Sequence, residues 1–484
     1  MSKVSRHITQ NAQWFLERLE DADLQVVYDH LWMQKKKISI LWIWLESSVN
    51  AGELQRRVFE PLTREPFIHQ HSIWDAIRQR LPIKQAQLSS SLVELEHKLL
   101  KGHVLLCVEG ATDALSMPVQ SMLQRGIEEP PSETTVRGAH EGFVESLETN
   151  ASLLRKRLPS PDLCMESFIL GSQIPSELKM FYLRSRAEPS LLEEVRSRLQ
   201  KLQTKDVLSS GEVEQWIEDA PWSVFPTIGN TEKPDKAAAQ ILEGRVVLLL
   251  DGDPTALFMP HLFIESIVNT EDYTSRPYYV SFIRLLRTMS YFFSILLPAY
   301  YIAMLNFHKE MIPTALLPKL QESSAKAPFP ITLEILIMIL MFEIVREAGI
   351  RLPKSVGSAV SIVGALILGQ VSVDAGIVSP PTIIVVAFSA ITGFTLTPVA
   401  DVIALLRIAN IIVASFLGLY GVILFMLGVL VHVVSLTSFH SPFLSPIAPL
   451  YLQDWKDGFV KFPIRWLSRN PRSLHDRQRV GWKK

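Results

Sequence analysis

The chain has 484 residues, 48% hydrophobic and 20% charged, with a net charge of −1. That length exceeds one ordinary domain, and the near-neutral balance gives no electrostatic case for nucleic acid. Two cysteines without metal-ligand spacing, Cys107 and Cys164, argue for a reducing compartment and against a disulfide framework.

In chain order, the N-terminal MSKVSRHITQNAQW lacks a signal-peptide core, so the polar first half should stay cytosolic. Trp14, Phe15 and Leu19 fall at roughly helical spacing and predict a helical extension over residues 1–36. ISILWIWLE (Ile38 to Glu46) reads as a buried strand, and Gly52 to Phe59 as the helix after it. LLKGHVLLCVEGATDAL (Leu99 to Leu115) and ILEGRVVLLLDGDPTALF (Ile241 to Phe258) share one pattern of helix end, Gly, strand, acid-Gly and second strand. WLESSVNAGELQRRV (Trp44 to Val58) likewise resembles YLRSRAEPSLLEEVRSRL (Tyr182 to Leu199). Both pairs lie about 140 residues apart, which predicts two copies of one α/β unit, residues 37–125 and 178–276. Glu109-Gly110 and Asp251-Gly252 suit tight turns between hairpin strands.

Residues 126–177 are expected to be a connector. Pro130, Pro131, Gly138 and Gly142 interrupt its first part, where the acids Glu128, Glu129 and Glu133 set against Arg137 suggest a charge cluster. Glu141 to Leu158 is amphipathic. No phosphate loop, dinucleotide fingerprint, zinc-protease motif or Ser/His/Asp set is readable, so neither an enzyme nor a metal or other cofactor is expected.

Residues 277–437 carry long apolar runs. Hydrocarbon about 30 Å thick needs roughly 20 helical residues to cross, which predicts a helical multi-pass domain of about four to six membrane segments. Arg276, Arg284 and Arg287 place its entry on the cytoplasmic side. A first span over Thr288 to Asn306 should kink at Pro298, and the loop from Phe307 to Pro330 should lie outside. Ile331 to Pro353 is apolar yet carries Glu334, Glu343 and Glu347. Carboxylates are costly in hydrocarbon, so these acids are either candidates for an ion pathway or an interfacial ion-pair cluster with Arg346. Along Val356 to Ile377, Gly357, Ser361, Ala365 and Gly369 recur every fourth residue with Gly364 beside them. This small-residue face suits close helix packing, within one subunit or between subunits. Thr382 to Val399 is broken by Gly393 and Pro398 and could cross fully or re-enter. The run from Val402 to Leu436 contains Arg407 and Asn410; an interfacial turn to about Ala409, then a span from Ile411 to Val434, is expected. Residues 438–484 form a basic, cytosolic tail. Two cytosolic ends require an even number of crossings, whereas five are counted; one run must be re-entrant or split, and the Pro/Gly-broken fourth is the expected one.

FHKEMIPTALL (Phe307 to Leu317), FEIVREAGIRLP (Phe342 to Pro353), VSIVGALILGQ (Val360 to Gln370) and AGIVSPPTIIVVA (Ala375 to Ala387) resemble the GerA-type spore germination receptor A subunit, of the GerA/SpoVAF family. EEPPSETTVRGAHEGFVESLETN, NTEKPDKAAAQILEGRVVLLLDG and SFIRLLRTMSYFFSILLPA are similar to further signatures of that family. The likeness covers roughly residues 99–463. Ala139-His140 depart from the family's Pro-Arg, and Lys309 from its Pro. The resemblance implies a spore inner-membrane protein that assembles with a permease-type B subunit and a lipoprotein C subunit. It also implies self-association, as a ring, into an ion-conducting complex opened by small nutrients. A non-conducting scaffold or a SpoVAF-like auxiliary germination protein is the alternative.

Overall fold

The computed structural model describes residues 3–19, 23–33, 36–49, 51–63, 73–83, 85–119, 130, 133, 137–352, 357, 364, 367–452 and 454–466. The first sheet is built from β1 (Leu24–Met33), β2 (Lys36–Leu45), β3 (Gln87–Ser89), β4 (His103–Val108) and β5 (Ala114–Pro118), in the order β1-β2-β4-β5-β3. The second is built from β6 (Leu163–Leu170), β7 (Ser176–Leu183), β8 (Gly229–Thr231), β9 (Val246–Leu250) and β10 (Ala256–Met259), in the order β6-β7-β9-β10-β8. Every pairing is antiparallel. The identical order realises the duplication expected from the repeated motifs.

Each sheet is covered on both faces, which is why its central strands carry consecutive apolar residues, such as Val104–Val108 in β4 and Val246–Leu250 in β9. Ile40 and Trp42 of β2 join one core with Val58 and Ile77, whereas Leu41 and Ile43 join the other with Phe15 and Leu95. The covering helices are α1 (Ile8–Arg18), a helical run over residues 51–63, α2 (Ile73–Arg80) and α3 (Leu92–Leu99). Their counterparts on the second sheet are α4 (Leu147–Arg157), α5 (Pro189–Leu202), α6 (Ser210–Ile217) and α7 (Pro234–Leu242).

The acid-Gly turns do more than reverse the chain. Glu109 accepts the Ile8 amide at the start of α1 (3.0 Å), and Asp251 accepts the Leu147 amide at the start of α4 (3.1 Å). Both carboxylates satisfy helix N-terminal donors and oppose the positive dipole end. The following glycines, at φ 86° and 84°, donate to Arg6 and Glu145 carbonyls. Asn11 and Asn150 close the preceding turns in the same way, each exchanging two hydrogen bonds with the backbone six residues upstream.

Several expected boundaries change. Leu24–Met33, inside the expected helical extension, is a strand at the sheet edge, exposed from Val27 to His30 and with Tyr28 and Trp32 outward. The connector 126–177 contains α4 and β6, and residue 178 falls inside β7, so the second unit begins near Phe143. Glu128 and Glu129 lie outside the described residues. Arg137 is exposed, and Glu133 instead pairs with Lys236 at 2.7 Å. The two units are joined by a buried ion pair, Arg155 of α4 to Asp23 ahead of β1 (2.6 Å). Asp23 also accepts the Ser47 amide, and Arg155 donates to the Leu163 carbonyl.

The last third is helical: α8 (Pro277–Asn306), α9 (Ile331–Arg351), α10 (Pro380–Phe394) and α11 (Ala400–Ser435). By length and composition, α8 and α11 are the two described helices able to cross a membrane, against the four to six segments expected. At 15 residues, α10 spans roughly 22 Å. A straight α11 of 36 residues would hold its ends roughly 54 Å apart. They are instead close together. Pro398 shares a cavity with Pro226, and His432 bonds Ser223 at 2.9 Å. The helix folds back at Gly418 (φ 59°, ψ −145°), against the break expected near Ala409. Phe307 lies so near that a Cβ on Gly418 would meet its ring at 2.9 Å, and one on Gly421 would meet the Val413 carbonyl at 3.0 Å. Residues eight apart touch only in a hairpin, and glycine supplies both the backbone angle and the clearance.

β11 (Thr437–Ser438) and β12 (Ser441–Pro442) return the chain to the second unit, whose core contains the fully buried Phe439. Residues 467–484 lie outside the described residues.

Removing either partner of the buried pair leaves a charge without its counter-ion. Arg155→Ala or Asp23→Ala should each destabilise the α/β half by about 3–5 kcal/mol. The double variant should lose less than the sum in a thermal unfolding cycle followed by tryptophan fluorescence. Gly418→Ala should cost about 2 kcal/mol or more in the same assay. Adding Phe307→Ala should recover the steric part only, because the backbone strain stays.

Candidate functional site

The helical bundle reverses the usual distribution of side chains. Phe292, Leu340, Ile344, Ile384, Ile391, Phe416, Ile423 and Leu427 are exposed, whereas Ser294, Glu334, Thr382, Ser389, Arg407 and Asn410 are buried. A polar seam therefore runs through the interior.

At one end, Glu334 of α9 caps α10. Its Oε2 accepts the Ser379 amide (3.0 Å), the Ser379 hydroxyl (3.0 Å) and the Thr382 hydroxyl (3.2 Å). Pro380 and Pro381 bring no donors of their own to that first turn, so one carboxylate serves the helix start. Its Oε1 is buried without a hydrogen-bond partner. Midway, Ser294 and Ser389 exchange hydroxyl-to-carbonyl bonds of 2.9 and 2.8 Å, clamping α8 to α10. Gly393 keeps that approach open, since a Cβ there would sit 3.1 Å from the Ser294 hydroxyl. Asn410 donates to the Ile295 carbonyl at 3.2 Å.

At the other end, Arg407 donates to Ser389 (3.2 Å) and pairs with Glu343. Glu343 also faces Arg346 at 2.9 Å, and Arg346 reaches Asp401 at 3.5 Å. Two guanidiniums thus share one carboxylate, with a second acid at the exposed rim. In a low-dielectric interior such a set holds only as a unit, because each member stripped of its partner is an uncompensated charge. Its chemistry is electrostatic: it can lock helices together. Among the described residues no group of three or more His, Cys, Asp or Glu is placed to hold a metal.

A second cluster fastens this bundle to the α/β half. Arg284, fully buried near the base of α8, donates to Asp272 (2.9 Å) and to Asp457 Oδ1 (3.1 Å), and to the carbonyls of Asp457 and Gly458. Arg287 joins Asp272 at 3.0 Å, and the Lys461 ammonium donates to the Asp272 carbonyl. Nearby, Glu265 receives Arg245 and His261. Burial alone would raise the Glu265 pKa, but Arg245 and then His261 outweigh it and hold the carboxyl at about 2. Phe439 completes the junction, with the Arg198 guanidinium 4.4 Å over its ring and its amide donated to Asp219 (2.6 Å).

The model of the Bacillus/Clostridium GerA spore germination protein family matches residues 13–473. The chain belongs to the GerA family. Among GerA-family relatives, it is 37% identical to spore germination protein KA of Bacillus subtilis (strain 168) over 450 residues, 92% of this chain and 83% of that protein. It is 35% identical to the uncharacterized membrane protein YfkQ of the same organism, covering 89% and 84% of the two chains. The solved N-terminal domain of the A subunit of the Bacillus megaterium spore germinant receptor GerK3 aligns at 24% identity with a TM-score of 0.41, over 54% of this chain and 98% of that one.

Within this GerA-family chain the expected site residues separate. Glu334 and Glu343 enter the seam, whereas Glu347 stands on the exposed side paired with Arg351 at 2.6 Å. Gly357 and Gly364 approach the chain's own α9: a Cβ would meet the Gly349 carbonyl at 2.7 Å and Val345 at 3.0 Å, respectively. Those two positions therefore serve packing within one subunit. Gly369 faces open space, and Ser361 and Ala365 lie outside the described residues. Sequence reasoning placed Arg407 at an interface and passed over Ser294, Ser379, Thr382 and Ser389. The spacing of Ser379, Thr382, Val386, Ser389 and Gly393 along one side of α10 was the available signal.

The depressed Glu265 pKa gives a signed prediction. Its contribution is fully present above the ordinary carboxylate range and is lost as pH falls toward about 2. Glu265→Gln should therefore destabilise the protein by roughly 3 kcal/mol at neutral pH. The difference from the unmodified chain should shrink steadily below pH about 4.5 in thermal melts recorded across pH.

Proposed function

We propose that this chain is the A subunit of a spore germinant receptor, a multi-pass protein of the spore inner membrane with its α/β half and C-terminal segment in the cytoplasm. The observation that carries this reading is the inside-out bundle: apolar side chains outward, with Glu334, Glu343, Arg346 and Arg407 paired or capped between helices. Apolar exteriors with polar interiors suit a bilayer and are costly in water. Folding α11 into two arms changes the number of passes. Added to the other apolar runs of the sequence, the second arm turns a count of five into six, an even number that leaves both ends on one side.

Copies of the subunit associate as a ring, with permease-type B and lipoprotein C subunits as partners, and open an ion path when a small nutrient is sensed. The Glu343–Arg407 pair holds the seam shut at rest. A second reading has one observation in its favour: Glu343, Arg346 and Arg407 find their ion-pair partners within a single chain, as a non-conducting scaffold or a SpoVAF-like auxiliary protein would require.

Cation flux into liposomes carrying the purified chain separates the two. Glu343→Gln should raise basal flux on the order of tenfold by releasing Arg407, and Arg407→Gln should act in the same direction. The exchanged pair, Glu343→Arg with Arg407→Glu, should return flux toward the resting level. No flux from any variant that still folds would favour the scaffold.

A further inference from the structure

We infer that the loop between α6 and β8 docks onto the bilayer surface, with the Trp222 indole seated among lipid headgroups beside the returning arm of α11. This inference rests on the membrane reading above and extends it to a part of the α/β half that no span contains. Trp222 is 98% exposed, so almost nothing in the chain covers its indole. Single exposed apolar residues are ordinary; the setting of this one is not.

The loop holding Trp222 is fixed from both sides. The Ser223 amide donates to the Ala220 carbonyl (2.9 Å), and its hydroxyl accepts the Phe225 amide (3.1 Å) and bonds His432 of α11 (2.9 Å). Phe225, 1% exposed, then packs its ring against Phe263, Phe443 and His432. A side chain on so firmly held a loop gains no cover by local rearrangement. His432 ties it to the last turns of an apolar arm on which Leu427, Leu430, Val431 and Val434 are all exposed. Three residues beyond His432 the helix ends, and β11 re-enters the α/β half. The loop therefore stands where the apolar exterior of the bundle gives way to the polar surface of the second unit.

Tryptophan suits that boundary because its ring is apolar and its N–H needs a partner, a pairing met at headgroup level. The bilayer is the occupant chosen because the apolar exterior of α11 continues directly to this loop. Neighbouring subunits are alternatives that the experiment separates.

Trp222→Cys and, separately, Leu427→Cys would be made in the full chain and labelled with an environment-sensitive fluorophore. The native Cys107 and Cys164 are buried and should not react. Both labelled proteins would be reconstituted into phosphatidylglycerol and phosphatidylethanolamine vesicles carrying nitroxide quenchers at shallow or deep positions. The 222 label should shift its emission to the blue and lose more fluorescence to the shallow quencher than to the deep one, with little loss to aqueous iodide. The 427 label should be quenched by lipid nitroxides in the same vesicles. A 222 label quenched by iodide alone would place the loop in water and overturn the inference. One shielded from both iodide and nitroxide would assign the surface to a protein partner and overturn it as well. A 427 label untouched by lipid quenchers would reject the membrane reading itself, and this inference with it.

Discussion

The pairing of Arg407 with Glu343 is the constraint from which the bundle's arrangement follows. A guanidinium 3% exposed among helices whose outer faces are apolar cannot stand alone. Its partner must come from another helix, which fixes α9 against the first arm of α11. The Ser389 hydroxyl takes one of its remaining donors and brings in α10, and the reciprocal Ser294–Ser389 bonds bring in α8. Four helices are thus held in register by polar contacts. Glu334 performs the matching task at the opposite end by serving the N-terminus of α10.

Motion in the α/β half can reach this seam along two covalent routes. One is the base of α8, where Arg284 is shared between Asp272 and Asp457. The other is the end of α11, where the hairpin carrying Phe439 enters the core of the second unit. Phe439 and His440 both adopt positive φ, 45° and 68°, a conformation that side chains other than glycine hold only when their surroundings impose it. Arg198 over the ring and Asp219 on the amide are those surroundings. The second unit is therefore gripped at both ends of the bundle's outer helices, and the first unit is fastened to the second by the buried Asp23–Arg155 pair.

What the sequence revealed follows from which signals are local. The duplication was legible because strand, acid-Gly turn and strand recur as contiguous words, and both sheets then adopt the same order. That the two acids also cap helices was not legible, because each cap lies about a hundred residues from its helix and needs the fold to bring them together. Strand β1 was missed because an edge strand leaves one face in water, and LQVVYDHLWM mixes its polar and apolar residues accordingly. In the helical third, apolar runs marked the helices but not their ends. Arg407 and Asn410 suggested an interfacial turn, yet both are buried and bonded. The true break, Gly418, resembles any glycine in an apolar helix until Phe307 is seen against it.

The central claim is that the last third is an inside-out bundle whose longest helix folds back on itself within a bilayer. Cysteine labelling from each side of sealed, oriented vesicles tests it most directly, at Thr395 and Ser435 flanking α11 and at Tyr420 beside the fold. The account predicts that Thr395→Cys and Ser435→Cys react together from the side of the α/β half, and Tyr420→Cys from the opposite side. Labelling of Thr395→Cys and Ser435→Cys from opposite sides, as a straight single pass would give, would contradict it.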